Sequence, residues 1–291
     1  MDAGYRHIDT AAVYMNEEAI GKALKAHLDA GKIKREDLFI VTKLGPMMMR
    51  ESDVEKGIQA SLKKLQLDYL DLFLLHTPFG VENDGTGQLQ NADGSFKIDK
   101  TTDHKSIWRA MEAQIFAGRT KSIGISNFNE KQIIRLMQNA RIQPACNQVE
   151  LNAKFRQKPL TEVCNQYNIR MVAYAPIGSP GLVELNAKRG LTNDNLANLL
   201  TNPTVTSIAA VHGKTPAQVL LNHLLVSDVI AIPKSVKPHR IKENFDVFNF
   251  TLSKDQISKL DALDRGIAGR AFVFSKVFKG SDSHPEYPFE I

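Results

Sequence analysis

Short apolar runs alternate with longer amphipathic stretches along nearly the whole chain, the pattern of repeated strand–helix units. The apolar runs predict strands at Tyr5–Ile8, Leu38–Thr42, Tyr69–Leu75, Ser122–Ile125, Cys146–Leu151, Arg170–Tyr174 and Val229–Ile232. Each is nearly continuous in Ile, Val, Leu or Phe, as expected of strands covered on both faces. Helices are predicted at Glu17–Leu28, Asp53–Lys64, His104–Phe116, Glu130–Gln138 and Leu160–Tyr167, then near Asn193–Leu200, Pro216–Leu225, Pro238–Asp246 and Lys254–Leu263. In the second of these, Val54, Ile58, Ser61, Leu62 and Leu65 recur at three-to-four spacing and mark one buried face. Asn129 and Ser253 read as N-caps, and Gly118 as the residue that closes the third helix.

Such units build either an open doubly wound sheet or a closed (β/α)8 barrel. An open dinucleotide-binding sheet needs a glycine-rich turn after its first strand, and no G-x-G-x-x-G occurs. Gly213-Lys214-Thr215 echoes a phosphate loop, but Ile208 stands where that motif needs glycine, so it reads as a turn before the Pro216 helix. The barrel is favoured by what ends each strand, because barrel active sites form at the carboxyl ends of the strands. Here the ends carry Asp9, Lys43, His76, Ser126-Asn127, Gln148 with Glu150, Tyr174, and Lys234-Ser235.

Asp9, Tyr14, Lys43 and His76 form the sharpest constellation, from three adjacent units. A free phenol has a pKa of about 10 and is a poor acid at neutral pH. An ammonium beside it would lower that value, and Asp9 could hold Lys43 charged and directed. His76 could donate a hydrogen bond to a carbonyl oxygen. The set suits protonation of a developing alkoxide, which is carbonyl reduction. Lys234 and Ser235, with Arg240 one helical turn further on, offer a phosphate site, and the cation pair suits a 2′-phosphate, hence NADP(H).

Composition narrows the classes without changing this reading. With 291 residues, 43% hydrophobic and 24% charged, the chain can bury a large core as a single barrel domain over 1–291, with long loops at 79–103 and 265–291. The net charge of +5 comes with no dense basic stripe, so no nucleic-acid partner is expected. No apolar run reaches the ~20 residues of a membrane helix, and no signal peptide opens the chain, so no membrane partner and a cytoplasmic location are expected. Cys146 and Cys164 are then free thiols, and the Asn249 sequon is an accident. No metal is expected, since the eight histidines include no paired ligands; neither a G-x-S-x-G elbow nor a Tyr-x-x-x-Lys pair is present. Nothing demands more than a monomer.

These segments resemble the aldo-keto reductase family. Gly4-Tyr5-Arg6-His7-Ile8-Asp9-Thr10-Ala11 with Tyr14 and Asn16-Glu17, Leu72–His76, Gly124–Phe128, Asn147–Glu150, Ile232–Ser235 through Arg240 and Glu243-Asn244, and the tail His284–Phe289 carry the likeness. It implies a (β/α)8 barrel that reduces aldehydes or ketones with NADPH, the partner being a small carbonyl or alcohol. It implies Tyr14 as proton donor, Lys43 and Asp9 as its tuning pair, and His76 as substrate orienter. Ser126, Asn127 and Gln148 would hold the nicotinamide carboxamide, and Tyr174 would stack on its ring. Ser179 would approach the pyrophosphate, Lys234, Ser235 and Arg240 the 2′-phosphate, and Glu243 and Asn244 the adenine. Thr77 follows His76 where many members have tryptophan, Trp108 reads as packing outward from the barrel, and Met47–Met49 read as a soft substrate wall. Seven of eight barrel strands are visible, so the opening βα unit of the family is expected to be missing. The alternatives are a non-catalytic NADPH-binding barrel and a related oxidoreductase acting mainly on sugars or steroids.

Overall fold

The computed structural model describes residues 1–83, 85–182 and 198–289. Its strands are β1 (His7–Asp9), β2 (Phe39–Leu44), β3 (Leu70–Leu75), β4 (Gly80–Val81), β5 (Ile98–Asp99), β6 (Thr120–Ser126), β7 (Cys146–Glu150), β8 (Arg170–Tyr174) and β9 (Ile230–Ala231). Seven of them form one sheet in the order β1-β2-β3-β6-β7-β8-β9, so sequence neighbours lie side by side once the small β4–β5 ribbon is set aside. The pairs β1–β2, β2–β3, β3–β6 and β8–β9 are parallel, as strand–helix–strand units require. All six residues of β3 are buried, which is why it reads as a nearly continuous apolar run. Asp71 is the exception within it: its carboxylate accepts from the Ile40 N–H (2.9 Å) and pairs with Arg35 (2.8 Å) and Lys121 (3.0 Å).

The chain packs as two compact units, one of Arg6–Asn147, Val163–Ile169 and Val273–Ile291, the other of Met1–Tyr5, Gln148–Glu162 and Arg170–Phe272. In the first, α1 (Glu17–Asp29) and α2 (Glu51–Leu65) approach so closely that a Cβ on Gly21 would sit 2.3 Å from the Lys64 carbonyl oxygen. The face of α2 predicted from spacing is the buried one. Trp108, on α3 (His104–Phe116), is buried and donates its indole N–H to the Ile142 carbonyl at 3.0 Å. Gly118 ends that helix with φ +71°, a conformation cheap only for glycine. Asn129 caps α4 (Glu130–Met137), its side chain accepting from the Gln132 N–H. Helix α5 (Lys158–Gln166) follows β7.

The second unit holds α6 (Pro203–His212), α7 (Pro216–Leu225), α8 (Pro238–Phe245) and α9 (Lys254–Asp261), the last capped by Ser253 as expected. Gly213-Lys214-Thr215 is the turn before α7, with Thr215 its N-cap. Helix α6 was not predicted, because its apolar residues do not segregate to one face. Asn202 caps it, Pro203 takes its first position, and Val205, Ile208 and Ala209 pack with Val219 and Leu220 of α7 and with Leu260. Positions 193–197 of the helix predicted at Asn193–Leu200 lie outside the described residues, and Leu199–Thr201 form a 3-10 turn. Within the predicted loop 79–103 the chain forms the antiparallel β4–β5 pair, where Gly80 lies so near Thr102 Oγ1 that a Cβ would stand 2.7 Å from it. No helix among the described residues is long and apolar enough to cross a membrane.

Candidate active site

In the first unit, Asp9 ends β1, and the Thr10 N–H continues the ladder to the Val41 carbonyl at 2.9 Å. The 3-10 turn Ala12–Tyr14 follows, closed by Met15 at φ +56°. Two hydrogen bonds fix this loop to the sheet: Thr10 Oγ1 donates to Asn16 Oδ1 (2.6 Å) and Thr42 Oγ1 to Glu17 Oε1 (2.7 Å). Lys43 in β2 is wholly buried; its Nζ donates to the Asp9 carboxylate and, at 2.9 Å, to the Thr10 carbonyl. His76 follows β3, and its backbone N–H donates to the Leu44 carbonyl at 3.2 Å. The Tyr14 ring lies 5.1 Å from Lys43 Nζ and 5.5 Å from the His76 ring, edge to face at 84°. Strand register thus gathers Asp9, Tyr14, Lys43 and His76 as the spacing predicted.

The electrostatics correct one expectation. Lys43 does not lower the Tyr14 pKa; burial, with the Asp9 carboxylate adding to it, pushes the phenol up. The lysine charge is taken up by Asp9, so little of it remains to stabilise a phenolate. Burial also lowers Lys43, against the pull of Asp9. His76 is pushed down to about 3 by burial and then by Lys43, so it is neutral at any physiological pH. The site therefore presents an un-ionised phenol, 48% exposed, beside a neutral imidazole.

Ser126 ends β6 and Asn127 follows at φ +64°, its amide donating to the His76 carbonyl (2.9 Å) and Ser126 Oγ (3.0 Å). Both are buried beside the cluster. Met47–Met49 do not act together as a wall: Met49 is 2% exposed and belongs to the core, while Met47 and Met48 are only partly covered.

In the second unit, Gln148 and Glu150 lie buried in β7 and Tyr174 ends β8. A pocket of about 690 Å³ is lined by Ser179, Lys234, Ser235, Arg240, Glu243 and Asn244, so the six residues expected around phosphate and adenine share one cavity. Lys234 and Arg240 are exposed and Asn244 is buried, which puts the cations at the mouth and the amide deeper. Ser179 takes φ +48°, after Gly178 at φ +79°. Phe272 also lines the pocket, and its ring meets Tyr174 edge to face at 5.5 Å. It was not singled out from the sequence because it lies in the coil between α9 and the one-turn helix Phe274–Val277, with no periodicity or motif around it. Among the described residues no group of three or more metal-ligating side chains is present, and Cys146 and Cys164 are free and buried.

The model of the Aldo/keto reductase family matches residues 1–265. The chain is 39% identical to bovine (Bos taurus) aldo-keto reductase family 1 member A1 over 293 residues, covering 99% of this chain and 88% of that protein. It is 38% identical to rat (Rattus norvegicus) aldo-keto reductase family 1 member C15, covering 99% and 86%. Its fold matches the aldose reductase of Schistosoma japonicum with a TM-score of 0.88 at 38% identity, over 99% of this chain and 87% of that one. It also matches a Bombyx mori aldo-keto reductase solved in complex with NADP, with a TM-score of 0.84 at 35% identity, over 99% and 86%. The chain thus belongs to the aldo/keto reductase family, NADP(H)-using oxidoreductases built on a (β/α)8 barrel.

Proposed function

We propose that this protein reduces small aldehydes or ketones to alcohols, with Tyr14 as the general acid. The observation that carries the reading is the cluster itself: a phenol, a buried Lys–Asp pair and a neutral imidazole within one edge of the sheet. The pocket of the second unit has the chemistry NADP(H) asks for. Two cations and a hydroxyl (Lys234, Arg240, Ser235) suit a 2′-phosphate, Ser179 the pyrophosphate, and Glu243 and Asn244 the adenine amine and ring nitrogens. By their match to the family's segments, Ser126, Asn127 and Gln148 hold the nicotinamide carboxamide and Tyr174 its ring. When bound, NADPH supplies a hydride to the carbonyl carbon.

The chain's own residues do the rest. His76 is neutral, so a ring N–H can donate to the substrate oxygen without adding a charge to the site. Tyr14 keeps its proton until oxygen charge develops, because the resting phenol is held above its ordinary value. As the carbonyl oxygen becomes an alkoxide, its basicity passes that of the phenolate and the proton transfers. Lys43, 5.1 Å from the ring, pairs with Asp9 and so limits how far that carboxylate opposes the phenolate that appears.

The test is NADPH absorbance decay with an aromatic aldehyde. Wild type turns over and Tyr14→Phe does not. Equal rates would remove Tyr14 from the mechanism. If neither protein turns over but both quench NADPH fluorescence, the chain is a binding barrel without catalysis.

A further inference from the structure

Glu150 is 1% exposed, and among the described residues its carboxylate makes no ion pair. Its carboxylate accepts instead from backbone: Oε1 and Oε2 from the Ala271 N–H at 2.9 and 3.1 Å, and Oε2 from the Phe272 N–H at 2.9 Å. Burying a carboxylate is costly unless such bonds compensate it, so the position asks for a reason. Burial pushes the group up, while the two N–H donors and, less strongly, the Arg270 charge draw it back.

The reason lies in what those N–H groups belong to. Residues 265–272 contain only the short turn Gly266–Gly269, so no ladder fixes their course. They are fastened to the segment after β7. The Arg265 N–H donates to the Lys154 carbonyl at 2.9 Å, and the Arg270 guanidinium lies 4.6 Å over the Phe155 ring. Gly269 packs so tightly that a Cβ would stand 2.0 Å from the Lys154 oxygen. Glu150 is the last fastening before Phe272, whose ring stands in the pocket wall against Tyr174.

We propose that Glu150 is a positioning residue that latches Ala271 and Phe272, holding the Phe272 ring against Tyr174 and so setting how tightly NADP(H) is retained. The inference rests on the coenzyme reading given above. The carboxylate presents an oxygen to these N–H groups on both sides. A glutamine there would set an NH2 group either where Oε1 accepts from Ala271 or where Oε2 accepts from both. The latch acts at a distance from the reacting atoms, so it bears on coenzyme affinity and release more than on proton transfer.

The test measures NADPH binding by fluorescence in the full chain. Glu150→Gln should raise the NADPH Kd about tenfold, the cost expected when a hydrogen bond to a charged group is lost. Phe272→Ala, which keeps both backbone donors, should raise it similarly. The double variant should be no worse than Phe272→Ala alone, since the latch works through that ring. A Kd within about twofold of wild type in either single variant, or additive losses in the double, overturns the proposal. A drop in Tm without a change in Kd does the same. Should Glu150→Gln not fold, amide exchange in the wild type decides alongside Phe272→Ala: Ala271 and Phe272 must be protected, and fast exchange at both overturns the latch. If wild type itself binds no NADPH, the coenzyme reading fails and the latch with it; if wild type binds and the variants bind equally, only the latch fails.

Discussion

The Lys43 ammonium has no exposed surface, and its charge is met by the carboxylate of Asp9 on the neighbouring strand. Neither residue is comfortable without the other. Removing one partner of a buried pair costs about 3 kcal/mol or more, because the remaining charge is left uncompensated. Lys43→Met should therefore lose both stability and turnover. Tyr14→Phe, which removes only the hydroxyl of a half-exposed residue, should lose turnover by roughly 100-fold or more at near-wild-type stability. Denaturant midpoints measured beside kcat separate the two effects. A Tyr14→Phe protein as destabilised as Lys43→Met would contradict this division.

Coenzyme choice should follow from the pocket's cations. Lys234→Ala should weaken NADPH about tenfold or more while leaving NADH nearly unchanged, since only NADPH carries the 2′-phosphate. Titrations of both coenzymes on both proteins check this. Equal losses for the two would place Lys234 elsewhere in the coenzyme's path.

Buried histidines should make the fold acid-sensitive. His223 is fully buried and pushed down to about 4 by burial and then by Arg156. Between that value and the ordinary 6.5, the unfolded chain binds a proton that the folded one refuses, so stability falls as pH drops through this window. From pH 7 to 5 the loss from His223 is about 2 kcal/mol. Urea unfolding at the two pH values measures it, and His223→Gln should remove much of the difference. His76 should titrate still lower, near 3, and an NMR titration showing it charged at pH 6 would contradict its neutral role.

Asp71 makes a prediction of the opposite chemical kind. The Ile40 N–H, Lys121 and Arg35 hold its carboxyl below the ordinary range against the burial that would raise it. Its contribution is therefore present above the ordinary carboxylate pKa and is lost as pH falls through the lowered one. Asp71→Ala should cost about 3 kcal/mol in chemical unfolding, through the orphaned Ile40 N–H and the unpaired Arg35. NADPH binding to the folded protein should be unaffected.

Much of this was legible in the residues. Lys43 and His76 could be placed at strand ends because apolar runs stop there, and parallel strands bring such ends together. Asn129 and Ser253 announced their helices by side-chain chemistry. What was hidden depended on contacts between distant segments. The rise of the Tyr14 pKa comes from burial and from the Asp9 carboxylate, which no spacing reveals. Phe272 reaches the pocket because Glu150, far away in sequence, fixes its backbone. Helix α6 owes its place to packing against α7 rather than to an amphipathic pattern.

The β1–β2–β3 ladder sets Asp9 opposite Val41 and Lys43 opposite Leu74. Successive side chains point to opposite faces, so inserting or deleting one residue inside β2 would send Lys43 to the other face and bring Thr42 or Leu44 to Asp9. The same change in the exposed turn after α1 would leave the ladder untouched. Length variation in this protein should thus be tolerated between strands and excluded within them. By that account the four-residue cluster behaves as a reading frame: a residue gained in a turn leaves it intact, and one gained or lost within a strand dissolves it.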